Sequence, residues 1–321
     1  QGDREGALRE YTESIRLRQA LGDVRGAAQS GLNLGEALAG MRRHGPARGA
    51  LETALNTFRR IGDRAGEAMA LGALGDLLRR QGRTRESAEA YRLALAEAAS
   101  LGMKEEVGRS EAGLAACLEA EGREDEALAG YDRAIAAVES VRLELVSPEF
   151  KARYLARWVD LHESAVRLLW RLGHAAGGDG ALQSARALSY AERSRARSLL
   201  DLLAESRADL RRGVDPVLVR REAEAIAALA RTGPNLAAAG DLPGDEAFEA
   251  SRRRTEEELD LLKVEIRQSA PRYAAFTYPV PAGAPEIQRS LLRPGERLLE
   301  YMLGEEASFL WVVTRNRLFW R

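Results

Sequence analysis

Side chains of the same kind return every 40 positions through the first 140 residues of the chain. One such column holds large side chains: Tyr11, Leu51, Tyr91 and Tyr131. Another holds small ones: Ala7, Ala47, Ser87 and Ala127. Self-similarity at a fixed period of about 20–50 residues is typical of solenoids, in which each repeat buries its apolar face only against its neighbours. A chain with this pattern is therefore expected to fold as a stack of similar units.

Each repeat carries two apolar stripes with helical spacing. Leu34 and Leu38 are four residues apart, so they share one face of a helix. The second stripe follows the spacing i, i+4, i+7 and consists of Ala47, Leu51 and Ala54. Between the stripes, residues 44–46 read His-Gly-Pro, which is typical of a turn with proline opening the next helix. The pattern predicts two antiparallel helices per repeat, with small side chains of one helix opposite large ones of the other.

The order of small and large positions resembles the tetratricopeptide repeat (TPR) pattern. The matching sets are Gly35, Ala47, Leu51 and Ala54, then Gly75, Ser87, Tyr91 and Ala94, then Ala115, Ala127, Tyr131 and Ala134. The usual repeat has about 34 residues, and the second helix with its exit turn is about six residues longer here, as in extended TPR variants. The resemblance implies a mainly α fold, with a right-handed helical-repeat solenoid over residues 1–140.

The first repeat of this array is expected to be incomplete. Ala7, Tyr11 and Ser14 occupy second-helix positions, yet no first helix precedes them, and the chain opens on Gln1. We therefore expect the chain to begin within a repeat, so that any signal peptide or upstream domain would lie outside it.

Charge and cysteine content narrow the possible function classes. The chain has 321 residues, with 48 basic against 49 acidic side chains and a formal net charge of -1. This balance argues against a nucleic-acid partner. The single cysteine excludes an intrachain disulfide and a zinc site built on several cysteines. Since the sequence also has no apolar run of about 18 residues, it predicts no membrane span. We expect a cytoplasmic protein without cofactor or metal.

Beyond residue 140 the period fades while helical patterns continue. Residues 147–149 read Ser-Pro-Glu, which is typical of a helix start. Apolar side chains then step by four and three from Tyr154 to Leu172, and a second helix is expected from Ala181 to Glu205. These features predict a degenerate terminal helix pair over residues 141–210.

A helical hairpin is expected next, over residues 211–270. Its first helix should run from Asp215 to Arg231 and its second from Asp245 to Ser269. The segment 232–244 between them is rich in Gly, Pro and Ala, which indicates a loop.

The last segment, residues 271–321, changes to β patterns. Strands are predicted at 297–303, 308–314 and 318–321, separated by turn residues. In the second strand, Phe309, Trp311 and Val313 point one way and Leu310 and Val312 the other. A strand that is apolar on both faces is typical of a covered sheet. We therefore expect the first antiparallel strands of a truncated α/β domain.

Four segments of this half resemble a second family. Residues 190–203, 271–275, 298–301 and 309–314 are similar to the stretch that joins TPR arrays to CHAT domains and to the first strands of that domain. CHAT domains are caspase-like and related to separase. The resemblance implies a cysteine peptidase with a His–Cys dyad. In the family both residues follow these strands, so no catalytic residue is assigned in this chain.

Two functions stay open on this basis. In the first, the array senses or recruits a partner and regulates a C-terminal caspase-like peptidase. In the second, the chain belongs to a non-catalytic TPR adaptor with a degenerate CHAT-like domain. The titratable residues present favour neither. Cys117 falls in a packing column after Ala37 and Leu77, and the three histidines have no nearby cysteine or paired carboxylates.

A TPR array is expected to bind protein segments in the concave groove lined by its first helices. Aligned on the repeat, the candidate peptide-groove residues are Gln29, Asn33, Glu36, Met69, Ala73, Asp76, Arg109 and Ala116. TPRs that grip peptide carboxylates place Lys, Arg and Asn there, and only Asn33 and Arg109 fit that mode remotely. Small groove side chains instead leave room for an extended peptide or a helix.

Overall fold

A computed structural model describes residues 4–145, 154, 157–175, 180–205, 214–231, 246–271, 273–274, 282–304 and 307–321. The chain divides into two compact units that meet in sequence at Ala137 and Val138. The predicted helix start at 147–149 and the predicted loop 232–244 lie outside the described residues.

The first unit consists of helices of nearly equal length joined by short turns. The helices are α1 (Arg4–Ala20), α2 (Val24–Gly40), α3 (His44–Ile61), α4 (Arg64–Arg80), α5 (Thr84–Ser100), α6 (Lys104–Ala120) and α7 (Glu124–Glu144), the last of which runs on past Ala137. Even-numbered helices are the first helices of the repeats, and odd-numbered helices are the second ones.

Each first helix packs against the second helix that follows it through a small residue facing a large one. A Cβ atom on Gly35 would lie 2.6 Å from the Leu51 side chain, and one on Gly75 would lie 2.7 Å from the Tyr91 ring. Leu51, Tyr91 and Tyr131 are buried, as the repeat pattern predicted. Leu34 differs slightly, because it is only partly buried against the same core. The predicted antiparallel helix pairs are confirmed.

The turns repeat as closely as the helices do. Gly22, Gly62 and Gly102 end the second helices with positive φ, and Gly82 and Gly122 do so after the first helices. Asp23 and Asp63 cap the next helices, since their carboxylates accept hydrogen bonds from the N–H groups of Gly26 and Gly66. In the first repeat, Arg42 takes the place of the later glycines and keeps a φ of 59°.

The second unit contains two helix pairs. They are α8 (Val159–Ala175) with α9 (Ala181–Glu205), and α10 (Pro216–Arg231) with α11 (Glu246–Ser269). In the second pair, Leu218 and Leu229 pack against Leu259, Leu262 and Ile266. A short helix at Ala284–Glu286 follows and continues as a π-helical turn, Ile287–Leu291.

Three antiparallel strands end the described chain in the order β1 (Leu298–Leu303), β2 (Ser308–Val313) and β3 (Leu318–Trp320). Glu300 pairs with Trp311, which in turn pairs with Trp320, and all three side chains are buried on the inner face. The Trp311 indole N–H donates to the Ser184 carbonyl of α9 at 3.2 Å, which fixes the sheet against that helix.

The outer face of the sheet is apolar and open. Leu299, Tyr301 and Phe319 are each about half exposed there, and Leu303 is 77% exposed. The mainly α repeat fold followed by antiparallel strands is thus confirmed. No described helix is both long enough and apolar enough to cross a membrane.

Candidate functional site

The candidate groove residues lie on three first helices that pack side by side. α2 contacts α4, and α4 contacts α6. α2 contributes Gln29, Asn33 and Glu36, α4 contributes Met69, Ala73 and Asp76, and α6 contributes Arg109 and Ala116. These helices position the side chains because residues at i, i+4 and i+7 share one helix face.

An ionic network centred on Arg109 connects the three helices. The Arg109 guanidinium reaches Asp76 of α4 at 2.5 Å and Glu36 of α2 at 2.9 Å, although Glu36 is 73 positions away in sequence. On its own helix Arg109 lies 3.8 Å from Glu106. The Asp76 carboxylate also accepts a hydrogen bond from the Tyr91 hydroxyl of α5. One cation thus joins three consecutive repeats.

Burial and charge act in opposite directions on this network. Burial by itself raises the pKa of Asp76, but Arg109 and the Tyr91 hydroxyl stabilise the carboxylate and lower its pKa overall. Burial lowers the pKa of Arg109, yet the carboxylates of Asp76, Glu106 and Glu36 raise it overall. The pKa of Tyr91 rises, first through burial and then through Asp76. Asp76 and Arg109 are therefore a fixed ion pair at neutral pH.

Glu106 is the unusual member of the cluster. It is 7% exposed, and its carboxyl presses so closely on α4 that a Cβ atom on Gly72 would lie 2.0 Å from it. Its hydrogen bond from the Ser110 hydroxyl is long, at 3.4 Å. Burial raises the pKa of Glu106 to about 8, against the opposing influence of Arg109. Glu106 is therefore mostly protonated at neutral pH. Arg109 then forms its ion pairs with the carboxylates of Asp76 and Glu36.

The remaining candidates fall into two groups. The Gln29 amide donates to Asn33 at 3.2 Å, and both side chains are partly exposed beside Glu36. By contrast, Met69 packs partly against the core and Ala73 is buried. Ala116 is partly exposed on α6. The polar residues of α2 are thus the ones whose side chains are most available to a partner.

The geometry of small residues, buried aromatics and paired helices has a counterpart among known families. Residues 24–96 match the tetratricopeptide repeat family. This segment spans α2 to α4 and most of α5, so it contains Gln29, Asn33, Glu36 and Asp76.

Two solved structures are similar to the chain beyond this TPR segment. One is the crystal structure of BtubC (BKLC) from P. vanneervenii, with 17% identity, a TM-score of 0.47, and coverage of 81% of this chain and 93% of that one. The other is aspartyl phosphate phosphatase F from Bacillus subtilis, with 13% identity, a TM-score of 0.44, and coverage of 84% of this chain and 67% of that one. No curated protein sequence matches the chain.

Sequence reasoning missed Glu106, although a signal for it exists. Its column reads Gly26, Gly66 and Glu106, and a Cβ atom on Gly66 would collide with the Phe58 ring. At the position equivalent to Phe58 the next repeat has Ala98. The ring that blocks this position in α3–α4 is thus absent from α5–α6, where Ala98 replaces Phe58.

The cysteine and the histidines do not assemble a catalytic site within the described residues. Cys117 is buried and lies 3.4 Å from the Ser87 hydroxyl, and burial raises the pKa of its thiol. This confirms its packing role. The His174 ring lies between Trp170 and Trp320. Across the described ranges, no three His, Cys, Asp or Glu side chains are grouped so that they could hold a metal ion.

Proposed function

We propose that the first-helix face of α2, α4 and α6 is a protein-binding surface and that the chain acts as an interaction scaffold. The observation that carries this proposal is the alignment of partly exposed polar side chains from three repeats on one face. TPR segments generally bind protein partners, and the family match of residues 24–96 supports the same function.

The polar part of the surface suits a polar peptide rather than an apolar one. Gln29, Asn33 and Glu36 offer amide and carboxylate groups on consecutive turns of α2. Arg109 and Asp76 neutralise each other and hold Glu36 in place at 2.9 Å. A surface that is pre-organised by such an ion pair loses less side-chain entropy on binding. We infer that the ligand is a cytoplasmic protein segment lying along α2.

Site-specific photocrosslinking tests this proposal. A benzophenone amino acid is placed at Asn33 on the first-helix face or, as a matched control, at the exposed Asn56 of α3. We expect discrete crosslinked proteins from position 33 and none of these from position 56. The double variant Asn33→Ala, Glu36→Ala should abolish the same adducts from a crosslinker at Gln29 while leaving the circular dichroism unchanged. Equal adducts from both positions would refute the assignment.

A narrower form of the proposal follows from the resemblance to CHAT domains. In this form the array recruits or senses a partner and regulates a caspase-like cysteine peptidase. The support is the resemblance of residues 190–203, 271–275, 298–301 and 309–314, together with the apolar outer face of the sheet, which suits further covering structure. The alternative form is an adaptor whose CHAT-like domain only binds.

The two forms differ in a direct assay. We expect the 321-residue chain to cleave no peptide in a library of Arg- and Lys-containing substrates, because Cys117 is buried against Ser87 and burial raises the pKa of its thiol. Cleavage that is lost in Cys117→Ala would contradict this expectation. A protein that contains this chain together with a complete CHAT domain should cleave such peptides if the peptidase form is correct, and should not if the adaptor form is.

A further inference from the structure

The second-helix side of the first unit carries a groove that is separate from the proposed first-helix surface. It runs between α1 and α3, with α2 as its floor, and encloses about 390 Å³. The floor is formed by Ala27, Ala28, Gly31 and Leu34. The groove follows α3 from Gly49 to Arg60, which corresponds to about three helical turns, or roughly 16 Å.

The groove is open because one side chain is missing at a repeated position. A Cβ atom on Gly31 would meet nothing closer than 3.9 Å. The equivalent residue of the next repeat is Leu71, which is buried in the core, and in the repeat after it is Glu111, which two hydrogen bonds from Arg133 hold in place. The neighbouring repeat therefore indicates what fits this position: an aliphatic side chain of the size of leucine.

The two threonines on the α3 wall of the groove need no polar partner from a ligand. The Thr53 hydroxyl donates to the Gly49 carbonyl and the Thr57 hydroxyl donates to the Thr53 carbonyl, both at 2.8 Å. Both hydroxyl groups therefore already donate their hydrogen bonds within α3. Ile15 of α1 is partly buried on the opposite wall. An apolar occupant would leave none of these donors unsatisfied.

A cation marks one end of the groove. Arg60 lines the cavity, is exposed, and forms no ion pair or hydrogen bond with the described part of the chain. Most arginines of this unit are paired, as Arg25 is with Asp63 and Arg59 is with Glu67. An unpaired guanidinium beside an apolar groove is complementary to a carboxylate.

We propose that this groove binds an amphipathic helix of a partner protein, which inserts a leucine-like side chain over Gly31 and places a carboxylate against Arg60. Gly31 lies level with Ala50 and Ala54, so Arg60 is about two helical turns further along α3. The partner's acidic residue should therefore stand about two turns from its central aliphatic residue. This is helix-in-groove recognition at a surface that the first-helix proposal does not use.

The test is a selection from a displayed library of 15-residue helical peptides with three randomised positions on one face and two in the flanking turns. The full chain is the target, and affinities of the selected peptides are measured by fluorescence anisotropy. We expect selected helices to carry aliphatic residues at i, i+4 and i+7 and an Asp or Glu about two turns from the central one. Gly31→Leu and Gly49→Leu should each weaken their binding at least tenfold.

The control Gly45→Leu adds the same side chain to α3 outside the groove, where a Cβ atom meets nothing within 4 Å. It should leave the affinity unchanged. Arg60→Glu should weaken binding about tenfold, and a peptide with Lys in place of its acid should recover it.

The proposal is overturned if no helical peptide is selected, or if binding survives both Gly31→Leu and Gly49→Leu. Peptides that bind these variants normally but fail on Asn33→Ala, Glu36→Ala would support the first-helix surface and contradict this one. Circular dichroism shows whether Gly31→Leu and Gly49→Leu are folded. If one of them does not fold, the other still tests the proposal.

Discussion

At the scale of single residues, the turn between α2 and α3 holds an arginine where later repeats hold glycine. Arg42 has a φ of 59°, whereas Gly82 and Gly122 adopt similar angles without a Cβ atom. A non-glycine residue in the left-handed region costs roughly 1–2 kcal/mol. Arg42→Gly should therefore raise the free energy of unfolding by about 1 kcal/mol. This is less than the full strain energy, because glycine also increases the conformational entropy of the unfolded chain. Urea denaturation followed by circular dichroism measures the change.

Arg42→Ala is the matched control for this prediction. It removes the same exposed side chain but keeps a Cβ atom at the strained angle, so its stability should stay close to that of the natural chain. An equal gain from Ala and Gly would mean that the guanidinium, and not the backbone, was responsible.

Also at the residue scale, Glu106 should make stability depend on pH. Its pKa is about 8 in the folded chain, compared with an ordinary value of 4.5. The folded state therefore holds the proton more tightly than the unfolded state does, so stability falls as pH rises from about 4.5 to about 8. Glu106→Gln keeps the shape without the charge. The free energy of unfolding of this variant, relative to that of the natural chain, should increase across this pH window by a few kcal/mol, because each pKa unit corresponds to roughly 1.4 kcal/mol.

Urea denaturation at pH 5, 6, 7 and 8 measures this difference. The charged groups that act on Glu106 are Arg109 and Glu105 on its own helix, Asp76 on α4 and Glu36 on α2, and they are unchanged in the variant. Glu10→Gln is the control, since it removes an exposed carboxylate from α1. A constant offset between the natural chain and Glu106→Gln would show that burial does not shift this pKa.

At the scale of helices, the packing of α4, α5 and α6 depends on one aromatic ring between two glycines. A Cβ atom on Gly113 would lie 2.1 Å from the Tyr91 ring, and one on Gly75 would lie 2.7 Å from it. Gly113→Ala should therefore cost roughly 1–3 kcal/mol by overpacking, despite the better helix propensity of alanine. Thermal unfolding should show the loss.

Two variants distinguish overpacking from a general effect of the substitution. Gly49→Ala adds the same methyl group to α3 where nothing lies within 4 Å, so it should be neutral or slightly stabilising. In a Tyr91→Leu background, which has the residue type found at the equivalent Leu51, Gly113→Ala should cost less than it does in the natural chain, because the ring that it would meet is gone. An equal cost of Gly113→Ala in both backgrounds would contradict the steric explanation.

The repeat elements could be predicted from the sequence because their signal is local and repeated. Gly35 opposite Leu51 and Gly75 opposite Tyr91 are visible as columns, and the structure pairs them as expected. The ionic network could not be predicted in the same way. The pair Arg109–Glu36 depends on the angle at which successive helices pack, and no column aligns the two residues. The burial of Glu106 likewise depends on how closely α6 packs against Gly72 of α4.

At the scale of the whole molecule, the open apolar face of the sheet should promote self-association. Leu299, Tyr301, Leu303 and Phe319 are large apolar side chains exposed on the outer face of the sheet. Light scattering of the purified chain should therefore report species larger than a monomer. The double variant Leu299→Lys, Leu303→Lys should shift them toward the monomer.

The comparison variant is Leu261→Lys, because this side chain is 72% exposed on α11, away from the strands in sequence. It should leave the association unchanged. If light scattering reports the natural chain as a monomer, the exposed apolar face of the sheet does not cause self-association.

The recurring turns also bear on how such a chain can change in length. Gly62 and Gly102 close successive repeats with φ angles of 73° and 64°, and the backbone hydrogen bonds across the first turn have counterparts one repeat later. The segment 64–103 therefore starts and ends in equivalent backbone geometry. An in-frame duplication of its coding sequence would insert one more helix pair without altering either joint. Unequal recombination within the gene could thus lengthen the array in single steps, each of which yields a foldable product.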